Sequence, residues 1–139
     1  MHHGALVWIT AASTTLGAAT PAKASGTTNG TNCDGFSHSD NRLTYTGQVG
    51  RTFNVVIMAS ITKGAGGSSE TASALYLNGS PTGAEIGRTI ASASDEGALA
   101  VGCLIKMKKD DYVELWLETD TGDDLTISVG STMVATVAG

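Results

Sequence analysis

The chain has 139 residues, of which 41% are hydrophobic, 5% aromatic and 15% charged, and its formal net charge is −5. This length suits a single domain, residues 1–139, whose core we expect to be aliphatic because large aromatic anchors are few. The acidic balance argues against a phosphate-binding face, and no segment approaches the roughly 18 unbroken apolar residues of a membrane span. Neither a nucleic acid nor a membrane is therefore expected as a partner.

The first 41 residues predict one strand followed by a long polar loop. Residues 5–9 are apolar and form the first predicted strand. Residues 10–40 are rich in Thr, Ala, Gly, Asn and Ser, which is typical of a loop with short edge strands, and Asn29-Gly30 is a turn signal. The apolar run before Pro21 ends in a motif like a signal-peptide cleavage site. No Lys or Arg precedes that run, so we expect no export signal.

Residues 42–139 predict the main sandwich. Apolar and polar residues alternate there in short runs, and Asn78-Gly79 is a hairpin signal. The predicted strands cover residues 42–46, 52–61, 71–77, 86–91, 98–107, 112–118, 125–129 and 132–137. Together with the first strand they make about eight to ten short strands and no significant helix. This pattern predicts an all-β fold, a two-sheet antiparallel jelly-roll sandwich.

The strand over residues 112–118 carries the clearest functional signal. Strict alternation puts Val113, Leu115 and Leu117 on one face and Tyr112, Glu114, Trp116 and Glu118 on the other. Large aromatic side chains on the outer face of a sheet are usually covered by another part of the protein or by a partner. In a small all-β protein we expect that partner to be a second copy of the chain. The alternative is that Trp116 lies beneath the N-terminal segment of its own chain.

The inward positions of the predicted strands give the expected hydrophobic core. Each follows from alternation of apolar residues within its own strand. The core residues are Phe53, Val55, Ile57, Leu77, Leu99, Val101, Ile105, Val113, Leu115, Leu117 and Ile127.

No motif in the sequence predicts catalysis, a cofactor or a metal centre. The adjacent His2 and His3 are typical of a flexible chain end. Residues 37–40 read Ser-His-Ser-Asp, but consecutive side chains do not converge as a triad. The acidic loop at residues 119–124 lacks the spacing of a calcium loop. We therefore expect neither an enzyme nor a bound cofactor.

The two cysteines do not form a disulfide framework. Cys33 lies in a polar segment and Cys103 in an apolar strand. We expect two free thiols in a reducing compartment, and a single bridge between them is the alternative.

From Arg42 onward the order of motifs resembles the jelly rolls of the tumour-necrosis-factor-like and complement-globular-head families. The matching pieces are Leu43-x-Tyr45-x-Gly47, Gly50-Arg51-x-Phe53-x-Val55, Tyr76-Leu77-Asn78-Gly79 and Lys108-Lys109-Asp110-Asp111-Tyr112-Val113-Glu114-Leu115, followed by a short aliphatic strand. They span about two thirds of the chain. Asp110 departs from the Gly that many members have, and the N-terminal third matches poorly.

The resemblance implies a homotrimer around a three-fold axis, in which outward sheet residues pack against neighbouring subunits. The residues that it places at this interface are Tyr112, Trp116, Glu114, Tyr45, Val56 and Met58.

Similar small jelly rolls occur in bacteriophage virions, and the sequence favours that setting. We find no export signal, collagen-like stalk or anchor, and the first strand begins close to Met1. These features favour a capsid decoration (cement) protein, made in the host cytoplasm and bound to the major capsid protein on the virion surface. Residues 20–40 and 64–69 are the expected contacts with the capsid. The alternative is a tail-fibre tip or receptor-binding module that recognises a host glycan or protein; a secreted signalling ligand is less favoured.

Overall fold

The computed structural model describes residues 2–138, which form thirteen strands and no helix. The predicted all-β, two-sheet antiparallel jelly roll is confirmed. The strands are β1 (His3–Trp8), β2 (Ala12–Thr14), β3 (Ala22–Lys23), β4 (Thr28–Asp34), β5 (Phe36–Ser39), β6 (Arg42–Tyr45), β7 (Arg51–Lys63), β8 (Ser69–Leu77), β9 (Ser80–Ile90), β10 (Glu96–Met107), β11 (Tyr112–Thr119), β12 (Leu125–Ile127) and β13 (Thr132–Val137).

The strands divide into a seven-stranded and a six-stranded sheet. The first has the order β2-β12-β7-β13-β1-β4, and β10 pairs with the other edge of β7. The second has the order β5-β6-β11-β8-β9, and the short β3 pairs with β11 beyond the end of β6. Strands that are adjacent in the sheets are often distant in the chain. For example, the first strand, β1, pairs with the last strand, β13.

The core lies between the inner faces of the two sheets. An aromatic group of Phe36, Tyr45 and Phe53 fills one end, with ring centroids 4.9 to 5.5 Å apart. Of the residues expected in the core, Leu77 is only partly buried, because it lies at the end of β8. The others are buried: Phe53, Val55, Ile57, Leu99, Val101, Ile105, Val113, Leu115, Leu117 and Ile127.

Residues 10–40 were expected to be mostly loop with short edge strands, and they hold more strand than expected, namely β2, β3, β4 and β5. These strands are short or lie at sheet edges, so their exposed positions carry Thr, Asn and Ser instead of an apolar alternation. Asn29-Gly30 is not a turn but part of β4, opposite Val7 and Leu6. A Cβ at Gly30 would come within 2.5 Å of the Cβ of His38, so the glycine permits close packing of β5.

The hairpin predicted at Asn78-Gly79 is confirmed, since β8 and β9 meet there. Asn78 has a φ of 53° and Gly79 a φ of 78°, the left-handed values that a two-residue type I′ turn requires. Cys33 is exposed and Cys103 partly buried, and both are free thiols. Within residues 2–138 no helix reaches the length and hydropathy needed to cross a membrane.

Candidate interaction surfaces

The outer face of the six-stranded sheet is organised around a buried carboxylate. Glu114 on β11 is only 2% exposed. Its Oε2 lies 2.8 Å from Nη2 of Arg42 and 2.9 Å from Nζ of Lys23, and its Oε1 accepts a hydrogen bond of 3.2 Å from Nε1 of Trp116. Strand register explains the cluster, because β6 places Arg42 opposite Glu114 and β3 places Lys23 opposite Trp116.

A second carboxylate completes this charge cluster at the surface. Asp40 Oδ2 lies 3.1 Å from Nζ of Lys23 and 3.3 Å from Nη2 of Arg42. A hydrogen bond from Lys23 and the charges of Lys23 and Arg42 lower the pKa of Asp40. Two cations and two carboxylates therefore balance one another at this edge of the sheet.

The two outward aromatics of β11 have partners within their own chain. The guanidinium carbon of Arg42 lies 4.0 Å from the ring centroid of Tyr112, a cation–π contact. Trp116 stacks on Tyr76 of β8, with centroids 4.2 Å apart and planes only 4° from parallel. Both Tyr112 and Trp116 are half-buried without a second chain. Their place in a trimer interface stays a prediction.

Two of the residues expected at the interface are inside the protein. Tyr45 is fully buried in the core, and its hydroxyl donates a hydrogen bond of 2.6 Å to the Val49 carbonyl. Glu114 is enclosed by its own ion pairs. Alternation with Leu43 puts Tyr45 on the inner face of β6, so its burial follows from the strand pattern. The burial of Glu114 does not, because its cover comes from strands distant in the chain.

The remaining two candidates, Val56 and Met58, lie on the outer face of the other sheet. They belong to β7 in the seven-stranded sheet, whereas Tyr112 and Trp116 belong to β11 in the six-stranded sheet. The outer faces of a sandwich point away from each other, so the six expected interface residues do not form one patch. This corrects the single surface expected from the sequence.

The two rows of outward residues that contain Val56 and Met58 carry no charged side chain. Across β4, β1, β13, β7 and β10 the register lines up two rows of outward residues, which we name the neutral face. One row is Thr31, Ala5, Val134, Val56 and Gly102, and the next is Asn29, Val7, Thr132, Met58 and Ala100. Not one of the ten residues is Lys, Arg, Asp or Glu.

The neutral face exposes large apolar side chains. Met58 is 55% exposed and Leu104, one row away beside Asn54, is 65% exposed. A shallow depression of about 420 Å³ beside Met58 is lined by Ala98, Ala100 and Val129. An uncharged, partly apolar sheet face of this kind is typical of a surface that packs against another protein.

The polar residues that could support catalysis or metal binding each make a separate contact within the fold. His38 Nε2 lies 2.6 Å from the hydroxyl of Thr28, away from any acidic partner. Asp120 accepts a hydrogen bond from the amide of Glu70, and Asp123 contacts the buried Lys63. Among residues 2–138 no three His, Cys, Asp or Glu side chains converge as a metal site would require.

No family model matches the sequence, and no curated protein matches it. The fold is similar to solved structures. The Eiger TNF of S. frugiperda aligns with a TM-score of 0.58 and 9% identity, over 100% of this chain and 94% of that one. Murine APRIL at pH 5.0 aligns with a TM-score of 0.59 and 7% identity, over 99% of this chain and 100% of that one. The chain therefore has a TNF-like jelly-roll fold, as the sequence resemblance predicted.

Proposed function

We propose that the chain is a non-catalytic structural module that self-associates as a homotrimer through the neutral face. The observation that carries this proposal is the absence of charge from ten outward residues on five adjacent strands, in a face with an exposed Met58. Burying a fully exposed methionine side chain contributes about 1.5–3 kcal/mol, and none of the ten residues adds the cost of desolvating a charge. The motif resemblance supports three copies, since proteins of that kind close around a three-fold axis.

Mass measurement in solution tests the self-association. Light scattering on the wild-type protein is expected to give the mass of three chains. Met58→Glu places a charge at the middle of the neutral face and is expected to give monomers that keep the β-sheet circular-dichroism spectrum. The control is Ile86→Glu, which alters an aliphatic side chain 42% exposed on β9 of the other sheet. A wild-type monomer, or a trimer that survives Met58→Glu, contradicts the proposal.

We place the trimer on the surface of a bacteriophage capsid, as a decoration protein bound to the major capsid protein. Support comes from the likeness of the motifs to small virion jelly rolls and from the charge-poor composition. The exposed end of β4, residues 32–34, and the exposed loop at residues 64–68 offer polar contacts to a shell. A trimer that binds several shell subunits at once stabilises the assembled lattice by mass action.

The capsid role is tested on particles. Shells with and without the protein are heated, and release of genome is followed by dye fluorescence. Decorated shells are expected to release their genome at higher temperature, and Met58→Glu protein is expected to stabilise less because it binds through one copy. Equal release temperatures for decorated and bare shells contradict the stabilising role.

The second candidate is a fibre-tip or receptor-binding module. The aromatic stack of Tyr76 and Trp116 on the outer face of the six-stranded sheet favours it, because Trp116 is partly exposed and such aromatics are typical of recognition surfaces. Fluorescently labelled protein distinguishes the two candidates. Decoration of host cells but not of capsids favours the receptor-binding module, whereas decoration of capsids alone favours the shell protein.

A further inference from the structure

A cleft of about 170 Å³ lies on the outer face of the six-stranded sheet, beside the stack of Tyr76 and Trp116. It forms because Ala72 and Ala74 of β8 are small, while Trp116, Glu118 and Glu85 beside them on the adjacent strands are large. The register places Ala74 between Trp116 of β11 and Glu85 of β9, so an aromatic and a carboxylate stand on either side of a low floor. This volume is below the roughly 300–1,000 Å³ of drug-sized ligand sites, so it suits one side chain.

An irregularity in β9 shapes the far wall of the cleft. The pairing jumps from Ala74↔Glu85 to Tyr76↔Pro81, so the intervening residues of β9 bulge outward. Gly83 has a φ of 94°, a value that an L side chain rarely adopts, and the Thr82 hydroxyl fastens the bulge to the Leu75 carbonyl at 2.7 Å.

The polar groups of the cleft are almost all acceptors. Glu85 and Glu118 line it, and neither carboxylate has a hydrogen-bond or ion-pair partner among residues 2–138. The indole N–H of Trp116 already donates to Glu114. Pro21 and Pro81, which also line the cleft, have no backbone N–H. A ligand that only donates hydrogen bonds is therefore the best complement.

A further acceptor at the cleft is the hydroxyl of Tyr76. Tyr76 is only 8% exposed, lines the cleft, and its hydroxyl has no hydrogen-bond partner within residues 2–138. Burial raises the pKa of Tyr76, and the charges of Glu118 and Glu85 raise it further, so the surroundings of the hydroxyl are negative. The hydroxyl oxygen of Tyr76 therefore adds one more acceptor for a donor that enters the cleft.

We propose that this cleft binds the guanidinium of an arginine side chain projected by a partner protein. A guanidinium has five N–H donors and no acceptor, stacks on aromatic rings and pairs with carboxylates. The stack of Tyr76 and Trp116 offers an aromatic surface, the carboxylates of Glu85 and Glu118 offer negative charge, and the Tyr76 hydroxyl offers a further acceptor. A sugar hydroxyl needs donors as well as acceptors, and the side chains of the cleft offer few donors. The site lies on the sheet opposite the neutral face, so it does not depend on the trimer.

Two-dimensional NMR of the indole N–H groups tests the proposal on the intact chain. Only Trp8 and Trp116 give such signals, and Trp8 is buried in the core, so it serves as an internal reference. An arginine-containing peptide at millimolar concentration is expected to shift the Trp116 signal and leave that of Trp8 in place. The same peptide with citrulline, which keeps the shape but lacks the charge, is expected to bind at least tenfold more weakly.

Charge-removing variants assign the binding to this cleft. Glu118→Gln is expected to weaken binding of the arginine peptide about threefold, and the double change with Glu85→Gln about tenfold, in line with partly exposed charge pairs. Asp34→Asn removes one exposed charge from β4 and is expected to leave the affinity unchanged. Equal binding of the citrulline peptide, no shift of Trp116 with the arginine peptide, or unchanged affinity in the double variant overturns the proposal. Preferential binding of methyl glycosides also overturns it, in favour of a sugar site.

Discussion

Glu114 shows how one side chain links two distant parts of the sequence to the centre of a sheet. It is 2% exposed, whereas its partners Lys23 and Arg42 keep 24% and 28% of their side chains in water. A buried carboxylate is tolerated only when its charge is paired and its oxygens are hydrogen-bonded, and here both oxygens are engaged. The pairs therefore hold the short strand β3 against β11.

Glu114→Gln tests this role. The change removes the buried carboxylate and leaves Lys23 and Arg42 with Asp40 as their remaining counter-charge, so we expect the free energy of unfolding to fall by about 3 kcal/mol. Urea denaturation at one fixed protein concentration measures it, because self-association makes stability depend on concentration. Glu118→Gln on the same strand is the control and is expected to change stability by less than about 0.5 kcal/mol. Equal stability of the two variants would show that β3 is held by other contacts.

Asp123 gives the protein a defined response to acid. Hydrogen bonds from Thr121 and Ser69, together with the nearby Lys63, lower its pKa below the usual 3.8. A lowered pKa stabilises the folded state above the pKa of the unfolded chain, and this contribution is lost as pH falls through the folded value. Lys63 is buried, with its ammonium 3.6 Å from Asp123, so the carboxylate also balances a buried charge.

Asp123→Asn is therefore expected to lower the melting temperature at neutral pH. The difference from the wild type is expected to shrink as the pH falls below 3.8, because the unfolded chain takes up its proton there, whereas the folded carboxylate does so only at its lower pKa. Melting curves across a pH series measure this convergence. A difference that stays constant down to strongly acidic pH would mean that the carboxylate acts through its shape and not its charge.

At the level of strands, the turn between β8 and β9 also fixes β11. The side-chain oxygen of Asn78 accepts a hydrogen bond of 3.0 Å from the backbone amide of Tyr112. The side-chain nitrogen of Asn78 donates a hydrogen bond of 2.9 Å to the carboxylate of Asp111. The residue thus combines a left-handed backbone with two contacts to a neighbouring strand.

Replacement of Asn78 separates these two contributions. Asn78→Ala loses both hydrogen bonds and places a Cβ-bearing residue without side-chain compensation in the left-handed region, so we expect a loss of about 2–3 kcal/mol of stability. Asn78→Gly loses the hydrogen bonds alone and is expected to lose about 1 kcal/mol less than the alanine variant. Chemical denaturation of both proteins gives the comparison. Equal losses would mean that the backbone conformation carries no cost.

The strands that the sequence predicted well are those with one buried and one exposed face. Alternation identifies the inward Val113, Leu115 and Leu117 of β11 because period-two patterns depend on one strand alone. The edge strands β4 and β5 were missed since their exposed polar residues resemble a loop. The neutral face and the Glu114 cluster were missed for another reason: both depend on register between strands far apart in the chain, which no local pattern encodes.

At the level of the whole molecule, the two outer faces differ in electrostatics. The neutral face has ten uncharged outward residues, whereas the cleft beside Trp116 carries Glu85 and Glu118, which have no ion-pair partner within residues 2–138. Association through the first depends on apolar burial, and binding at the second depends on attraction between charges. Salt screens charges at a protein surface but leaves apolar burial intact or strengthens it.

Ionic strength therefore distinguishes the two surfaces in one sample. Raising sodium chloride from about 0.01 M to about 1 M shortens the screening length from about 30 Å to about 3 Å. We expect the mass of the wild-type protein by light scattering to stay constant over this range, and the affinity for the arginine peptide to fall severalfold. Dissociation of the assembly at high salt would show that charged groups outside the neutral face hold the copies together. Peptide affinity that does not change with salt would show that stacking on Trp116, and not the two carboxylates, binds the peptide.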